Sequence, residues 1–305
     1  MAYKSEISKA NRTEEAKHFP EVVLIDNCSA CNLRCSMCDH HNVKKYRTIQ
    51  HMDIHLYEKI IDEIAIENPQ ARVWEIFFGD PFLCRDIIDR IAYAKDKGLT
   101  DVVLNSNGVL MTEEKSKRLI QAGLDSMYVG VDASTEETYD QIRVGGNFYG
   151  TIKNVLRYRD LLAQYGGDKQ NLYVQFVVSD INEHEQEDFK TFWKKEGIGI
   201  KIRPKVSWAG LVDASNLQDN DKITRKPCYW LMRTINICAD GEVALCSIDV
   251  HCRVKCGNMA DHTIKELWQG KLKGYRTMHK EERFRDLPQM CQSCSDWQSG
   301  YAEFA

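Results

Sequence analysis

The chain has 305 residues, 43% of them hydrophobic, and a formal net charge of -4. That content can bury a sizeable core, and the balanced charge, without a Lys/Arg block, argues against nucleic acid as a partner. The polar start (MAYKSEISKANRTEEAKHFP) lacks the apolar stretch of a secretory signal, and no run is apolar enough to span a bilayer, so the sequence predicts a soluble, cytoplasmic protein with no membrane contact.

Along the chain, Glu21–Asp26 reads as a first strand, followed by a cysteine-rich loop. Asp53–Ile66 carries Ile54, Ile60, Ile61 and Ile64 at helical spacing. Arg72–Phe78 reads as a strand, Ile87–Lys97 as a helix stopped by Gly98, and Asp101–Leu104 as a third strand. A Thr-Glu-Glu start opens a helix at Thr112 that ends near Gly123. Met127–Val131 is the fourth strand, with helices over Ser134–Ile142 and Tyr149–Leu162. Leu172–Val178, Glu183–Lys195 and Ile198–Arg203 complete a strand, helix, strand series. Such alternation predicts βαβ units and a parallel sheet, curled by right-handed crossovers into a full or partial barrel. Residues 204–226 are irregular and polar, which puts a domain boundary near residue 210. Beyond it come a hairpin around Ala239-Asp240-Gly241 and a short helix at Ile264–Trp268.

Twelve cysteines are many for a cytoplasmic chain. A disulfide framework belongs to small secreted domains, so clustered thiols here point to metal. Cys31, Cys35 and Cys38 follow the first strand with the spacing C-x3-C-x2-C. Three thiolates can hold three irons of a cubane and leave the fourth open for a ligand. The spacing alone also allows zinc, or a structural cluster that takes Cys28 as its fourth ligand. A second set, Cys228, Cys246, Cys291 and Cys294, can close a tetrahedral or cubane site completely, and its spacing suits zinc as well as iron–sulfur.

The first set, with Met37 before Cys38, resembles the signature of the radical S-adenosylmethionine (SAM) superfamily. The next strands end in loops similar to that family's motifs: Phe78-Gly79-Asp80-Pro81 to G-G-E-P, Asn105-Ser106-Asn107-Gly108 to T-N-G, and Val131-Asp132-Ala133 to S-x-D-G, with Ile142-Arg143 beyond. The resemblance implies a [4Fe–4S] cluster on Cys31, Cys35 and Cys38 whose open iron is chelated by SAM. Reduction of the sulfonium would give a 5′-deoxyadenosyl radical that takes hydrogen from substrate. It also implies SAM contacts at Gly79, Asp80, Ser106, Asp132 and Arg143, with Met37 near adenine or serving as core filling. Phe78 departs from the family's first Gly, Asp80 from its Glu, and Gly130 stands where a ribose-binding Ser is common.

The C-terminal run CYWLMRTINICADGEVALC, then CGN, IKELWQG and CQSC, resembles the SPASM or shortened twitch extension of that superfamily. Because the chain ends soon after Cys294, the twitch form with one auxiliary [4Fe–4S] cluster on Cys228, Cys246, Cys291 and Cys294 is expected. The fold expected is a partial (β/α)6 TIM-like barrel over 21–210 with a small twitch/SPASM-like domain over 211–305, after an N-terminal extension over 1–20.

The activity implied is oxidation of a small polar metabolite, a sugar or aminocyclitol-like alcohol, as in the twitch-type aminocyclitol dehydrogenases. The auxiliary cluster would accept the substrate electron, and an external flavodoxin- or ferredoxin-like donor would supply the reducing one. Alternatives are a redox-neutral sugar epimerase, a peptide-crosslinking or peptide-epimerising enzyme, and an iron–sulfur or zinc scaffold without activity. The roughly twenty residues before the first strand are too few for a peptide-recognition domain. Cys252 and Cys256, in the polar loop HCRVKCGN, would donate a hydrogen atom, simply pack, or replace a ligand in the auxiliary cluster. Cys28, Cys84 and Cys238 read as small buried hydrophobes. Arg203 would reach the barrel mouth, Glu75 and Gln175 would face the barrel interior, and His40 and His41 read as solvated loop residues.

Overall fold

The computed structural model describes residues 16, 18–166 and 171–301; the expected 1–20 extension lies mostly outside them. β1 (Val22–Ile25) leads through the cysteine loop to α1 (Ile54–Glu67). The Asp53 carboxylate caps α1 by accepting from the His55 and Leu56 amides, and the helix buries Tyr57, Ile60, Ile61 and Ile64 on one face. β2 (Arg72–Trp74), α2 (Ile87–Asp96), β3 (Val102–Ser106), α3 (Glu113–Gln121), β4 (Ser126–Gly130), α4 (Glu136–Ile142) and α5 (Phe148–Gln164) follow. Thr112, Thr135 and Asn147 cap α3, α4 and α5 through their side chains. β5 (Leu172–Val178), α6 (Gln186–Lys195) and β6 (Gly199–Pro204) close the repeat.

β1 to β6 pair in sequence order, every pair parallel. On β5, Phe176 meets Phe189 of α6 at 4.8 Å, so the pleat turns Tyr173, Gln175 and Val177 to the opposite, concave face. Tyr173 stacks on Tyr128 at 4.7 Å, and Tyr128 leans on Trp74 at 5.1 Å, an aromatic row across that face. This is the parallel α/β partial barrel that the alternation predicts.

The second half of the chain continues the same sheet. After α7 (Tyr229–Arg233), β7 (Thr234–Ile237) runs parallel to β1, with Val22 opposite Thr234 and Ile25 opposite Ile237. β8 (Glu242–Ala244) and β9 (Lys255–Asn258) extend it antiparallel, giving the order β6-β5-β4-β3-β2-β1-β7-β8-β9. α8 (Ile264–Gln269), α9 (Lys271–Lys280) and α10 (Gln289–Ser293) complete the chain. The expected boundary near residue 210 falls in the stretch between β6 and α7.

Two expectations need correction. β2 stops at Trp74, and Glu75 points not into the barrel but into the helix layer. There Tyr57 of α1 and the Asn27 amide meet its carboxyl at 2.6 Å each. His40 is buried, with Nε2 at 2.9 Å from the Ser29 carbonyl and its ring 5.1 Å from Phe78. Only His41 is exposed, as expected of a loop histidine.

Candidate active site and metal centres

The loop bearing Cys31, Cys35 and Cys38 is anchored by the loops after β2 and β3, by the end of α4 and by Trp208 beyond β6. Ala30 O accepts from the Asp80 amide at 2.7 Å, and Asn32 from the Asn107 side chain at 2.8 Å. The Arg34 and Ser36 amides donate to the carbonyls of Val144 and Ile142. From the far side, the Trp208 indole donates to the Met37 carbonyl at 2.9 Å. The three thiols are free and close enough to influence one another. Burial pushes Cys31 up to about 11 and Cys38 to about 12, each raised further by the neighbouring thiols. Iron binding must therefore displace protons from this nest.

Each motif loop has a structural reason for its sequence. Gly79 sits at φ 146°, and a Cβ there would lie 2.5 Å from the Cys28 carbonyl and 2.6 Å from that of Ala30. Asp80 is buried; its carboxylate accepts from the Ser106 hydroxyl at 2.8 Å and the amides of Asn107 and Phe82 at 2.9 and 3.0 Å. Burial raises its pKa against those donors. Phe78, the departure at the first Gly, fills an aromatic nest with His40, Trp208 and His251 at ring distances of 5.1, 5.7 and 5.5 Å.

Asp132 adopts φ 61°, a conformation rare for a residue with a side chain. Its carboxylate accepts from the Val177 amide and from Arg143 Nε, both at 2.6 Å. Arg143 also reaches Cys35 Sγ at 3.7 Å. Burial works against the Arg143 charge, but Asp132 and the Cys35 thiol outweigh it and raise the pKa. Gly130 explains itself here: a Cβ would lie 2.0 Å from Arg143 Nη2. The missing ribose-binding side chain is the space through which Arg143 passes.

Cys228, Cys246, Cys291 and Cys294 all line one cavity, with Leu231, Leu245, Ile248 and Trp297 as apolar wall. All four thiols are raised, first by burial, Cys291 to about 12; neighbouring thiols add to this for Cys246, Cys291 and Cys294, and Asp296 for Cys228 and Cys294. Four free thiols around one cavity, Cys246 and Cys291 buried and Cys228 and Cys294 half-buried, are a donor set suited to a metal centre with four protein ligands. Arg225 and His279 share the cavity. Arg225 donates to the Cys291 and Gln292 carbonyls at 2.6 and 3.0 Å. His279 Nδ1 accepts from the Cys228 amide at 3.4 Å, and burial lowers its pKa to about 4, with Arg225 pushing the same way. Neither residue was marked by the sequence, because both lie outside any recognisable spacing.

Arg203, opposite Val177 and so on the concave face, places its guanidinium 5.9 Å from the centre of the Trp74 ring. Gln175 does face the barrel interior, 3.3 Å from Asn105. Cys252 packs in a cluster with Cys38, Phe78 and Trp208. Cys256, on β9, is buried with its thiol against the Val254 carbonyl at 3.8 Å, and its electrostatic neighbours include Lys271 and Tyr275 of α9, Cys252, and Cys291 of the second cysteine set.

A barrel whose strand-end loops surround three open thiols, extended by a closed four-thiol site, defines an iron–sulfur radical enzyme class. Residues 28–190 match the Radical SAM superfamily, and residues 228–295 match the SPASM iron–sulfur cluster-binding domain. The chain belongs to the radical SAM superfamily, whose cofactors are SAM and [4Fe–4S] clusters. A probable GTP 3′,8-cyclase of Methanococcus maripaludis is 32% identical over 127 residues, 41% of each chain. Two solved structures share the fold. BtrN in complex with AdoMet and 2-DOIA has TM-score 0.60, 16% identity, and coverage of 90% of this chain and 92% of that one. Streptococcus suis SuiB bound to precursor peptide SuiA has TM-score 0.70, 13% identity, and coverage of 92% and 71%. The matches span 41 to 61% of the length of the curated relatives. Among the described residues no helix is long and apolar enough to cross a membrane.

Proposed function

We propose that the chain oxidises a small polar metabolite, a sugar or aminocyclitol-like alcohol, at a carbon bearing oxygen. The observation that carries this reading is the second four-cysteine site. It is closed, apolar-walled and faced by the Arg225 cation, features of a centre that receives an electron. In this reading Cys31, Cys35 and Cys38 hold the SAM-binding cluster, and Cys228, Cys246, Cys291 and Cys294 hold the auxiliary one. With SAM bound, the first cluster supplies the 5′-deoxyadenosyl radical that takes the substrate hydrogen.

The protein's own residues bind and orient. Asp80, already holding Ser106, keeps lone pairs for the SAM ammonium. Gly79 lets that loop lie against the cysteine loop, and Met37 would border the adenine. Arg143, fixed by Asp132, places a cation on Cys35. Trp74 and Tyr173, packed on either side of the buried Tyr128, would offer apolar surface to the C–H face of a sugar-like ring, while Asn105 and Gln175 would offer amides to its hydroxyls. A flavodoxin- or ferredoxin-like protein would deliver the reducing electron. The likeness to the structure of BtrN with 2-DOIA supports a ligand of this size.

The test begins with anaerobic reconstitution. Iron and sulfide should fall from about eight per chain to about four in a Cys31/Cys35/Cys38→Ala variant. Reduced enzyme with SAM is then assayed against aminocyclitols and sugars for 5′-deoxyadenosine and a ketone. Zinc in place of the second four irons, or no ketone with any alcohol, sinks the reading. A second reading, redox-neutral epimerisation, is favoured by Cys252, which packs in the cluster that contains Cys38. Its outcome in the same assay is solvent deuterium on the substrate carbon without a ketone.

A further inference from the structure

The four cysteines of the second centre share their cavity with a buried histidine. His279 is 1% exposed, and among the described residues nothing hydrogen-bonds to its Nε2. A buried polar group left in that state costs free energy, so its surroundings must hold the reason for it. The cavity that hides the ring from water is lined by the cysteine sulfurs.

The ring is fixed from three sides. α9 buries Leu272, Arg276 and His279 as one stripe. Arg276 ties that stripe to α8, lying 3.7 Å over the Trp268 ring and donating to the Trp268 carbonyl at 2.6 Å. Past α9, Glu282 at φ 56° turns the chain back, and Phe284 meets the His279 ring edge-on at 5.6 Å. The third constraint is the Cys228 amide, which donates to Nδ1 at 3.4 Å. A ring nitrogen that accepts an N–H carries no proton, so the imidazole keeps its proton on Nε2. Nε2 is therefore a donor. Leu231, Leu245, Ile248 and Trp297 offer it no acceptor. Asp296 is occupied: its carboxylate accepts from the Ser207 and Ala209 amides at 2.5 and 2.6 Å and from the Ser207 hydroxyl at 3.0 Å. The acceptors left in the cavity are the sulfurs of Met290 and the cysteines, and a charged thiolate or sulfide is the stronger.

We propose that His279 donates a hydrogen bond from Nε2 to a sulfur of the auxiliary centre and raises the reduction potential of that centre. This role rests on the [4Fe–4S] cluster proposed above for Cys228, Cys246, Cys291 and Cys294. One-electron reduction adds a negative charge to such a cluster. A donor fixed at one of its sulfurs stabilises that charge more than it stabilises the oxidised form. The electron is the one that the substrate radical gives up, with a proton released to solvent, on becoming a ketone. Arg225 acts on the same cavity as a charge; His279 acts on it through a directed bond.

Holoenzyme and three variants are reconstituted anaerobically, counted for iron and sulfide, and titrated by electron paramagnetic resonance. The auxiliary signal is the one that SAM leaves unshifted. His279→Gln carries an amide N–H to the place of Nε2 and should keep the wild-type potential. His279→Asn keeps a polar group only near the place of Nδ1, and His279→Phe keeps only the bulk of the ring. Both should make reduction about tenfold less favourable, a fall of ~59 mV for one electron. Iron should stay at about eight per chain in all four proteins. With that iron bound, an unmoved potential in the Asn and Phe variants overturns the role of His279 and leaves the cluster reading standing. About four irons and one zinc in the wild type overturn both. The wild type also carries a test that needs no variant to fold. Labelled with 15N-histidine and exchanged into D2O, its reduced auxiliary cluster should show hyperfine coupling to a histidine nitrogen and to an exchangeable deuteron. Absence of either coupling overturns the contact.

Discussion

At the scale of single residues, two positions set the chemistry of the metal centres through what stands beside them. Gly130 is one: a methyl there would lie 2.0 Å from Arg143 Nη2 and force the guanidinium off Asp132. Gly130→Ala should cost about 1–3 kcal/mol in urea unfolding of the apo-protein. It should also lower iron retention at the first centre, since Arg143 loses Cys35; an unchanged midpoint and iron content would refute this. Arg225 is the other. Its charge, buried by the second cysteine set, favours the reduced cluster there. Arg225→Gln should lower the reduction potential of the auxiliary cluster, read by spectroscopic titration, with iron content unchanged; an unmoved potential would refute it. The sequence displayed the cysteines and the motif glycines because spacing and order carry them. It could not display Arg225, His251 or Trp208, whose roles come only from segments distant in the chain meeting in space.

Among the elements, strand and helix order was legible because each helix carries its own cap and apolar stripe. The facing of a strand was not. In a parallel sheet covered on both sides, alternate residues are apolar on both faces, so periodicity does not say which face is the interior. That is why Glu75 reads as an interior residue yet joins β2 to α1 and α2. The Tyr57 hydroxyl has one proton and lies 2.6 Å from Glu75 and 2.9 Å from the Arg90 carbonyl. A protonated Glu75 that donates to Tyr57, with Tyr57 donating to Arg90, satisfies every contact. Burial, opposed by the Tyr57, Asn27 and Arg90 interactions, raises Glu75 from 4.5 to about 7. Between those values the folded state holds a proton that the unfolded chain has released. The stabilisation is thus complete below about pH 4.5 and is lost as pH rises through about 7, by up to about 3 kcal/mol. Glu75→Gln, a permanent donor, should flatten that slope in apo-protein unfolding measured from pH 5 to 8. An identical slope in wild type and variant would rule this linkage out. α9 escaped notice for a related reason: its buried positions Leu272, Arg276 and His279 are spaced as a stripe, but two of the three are polar.

On the scale of the whole molecule, the proposed division near residue 210 separates functions, not folding units. β7 fills the open side of β1, so removing it would bare the backbone edge of the strand that feeds the first cysteine loop. Other ties cross the same boundary. Glu63 of α1 accepts from the Ile264 and Lys265 amides at 2.7 and 2.9 Å, capping α8. Lys59 donates to the Met259 carbonyl at 2.5 Å, and Arg233 pairs with Glu21. His251 holds the cysteine loop itself, at Asp39. With strand pairing, helix caps and core all shared, neither part can lose its structure while the other keeps its own. The apo-protein should therefore unfold in one transition, with far-ultraviolet dichroism and tryptophan fluorescence sharing a midpoint. A fragment ending at residue 210 should aggregate and hold no iron at Cys31, Cys35 and Cys38. Two separated transitions, or a soluble fragment with four irons bound, would show that the shared sheet is not what fixes one centre relative to the other.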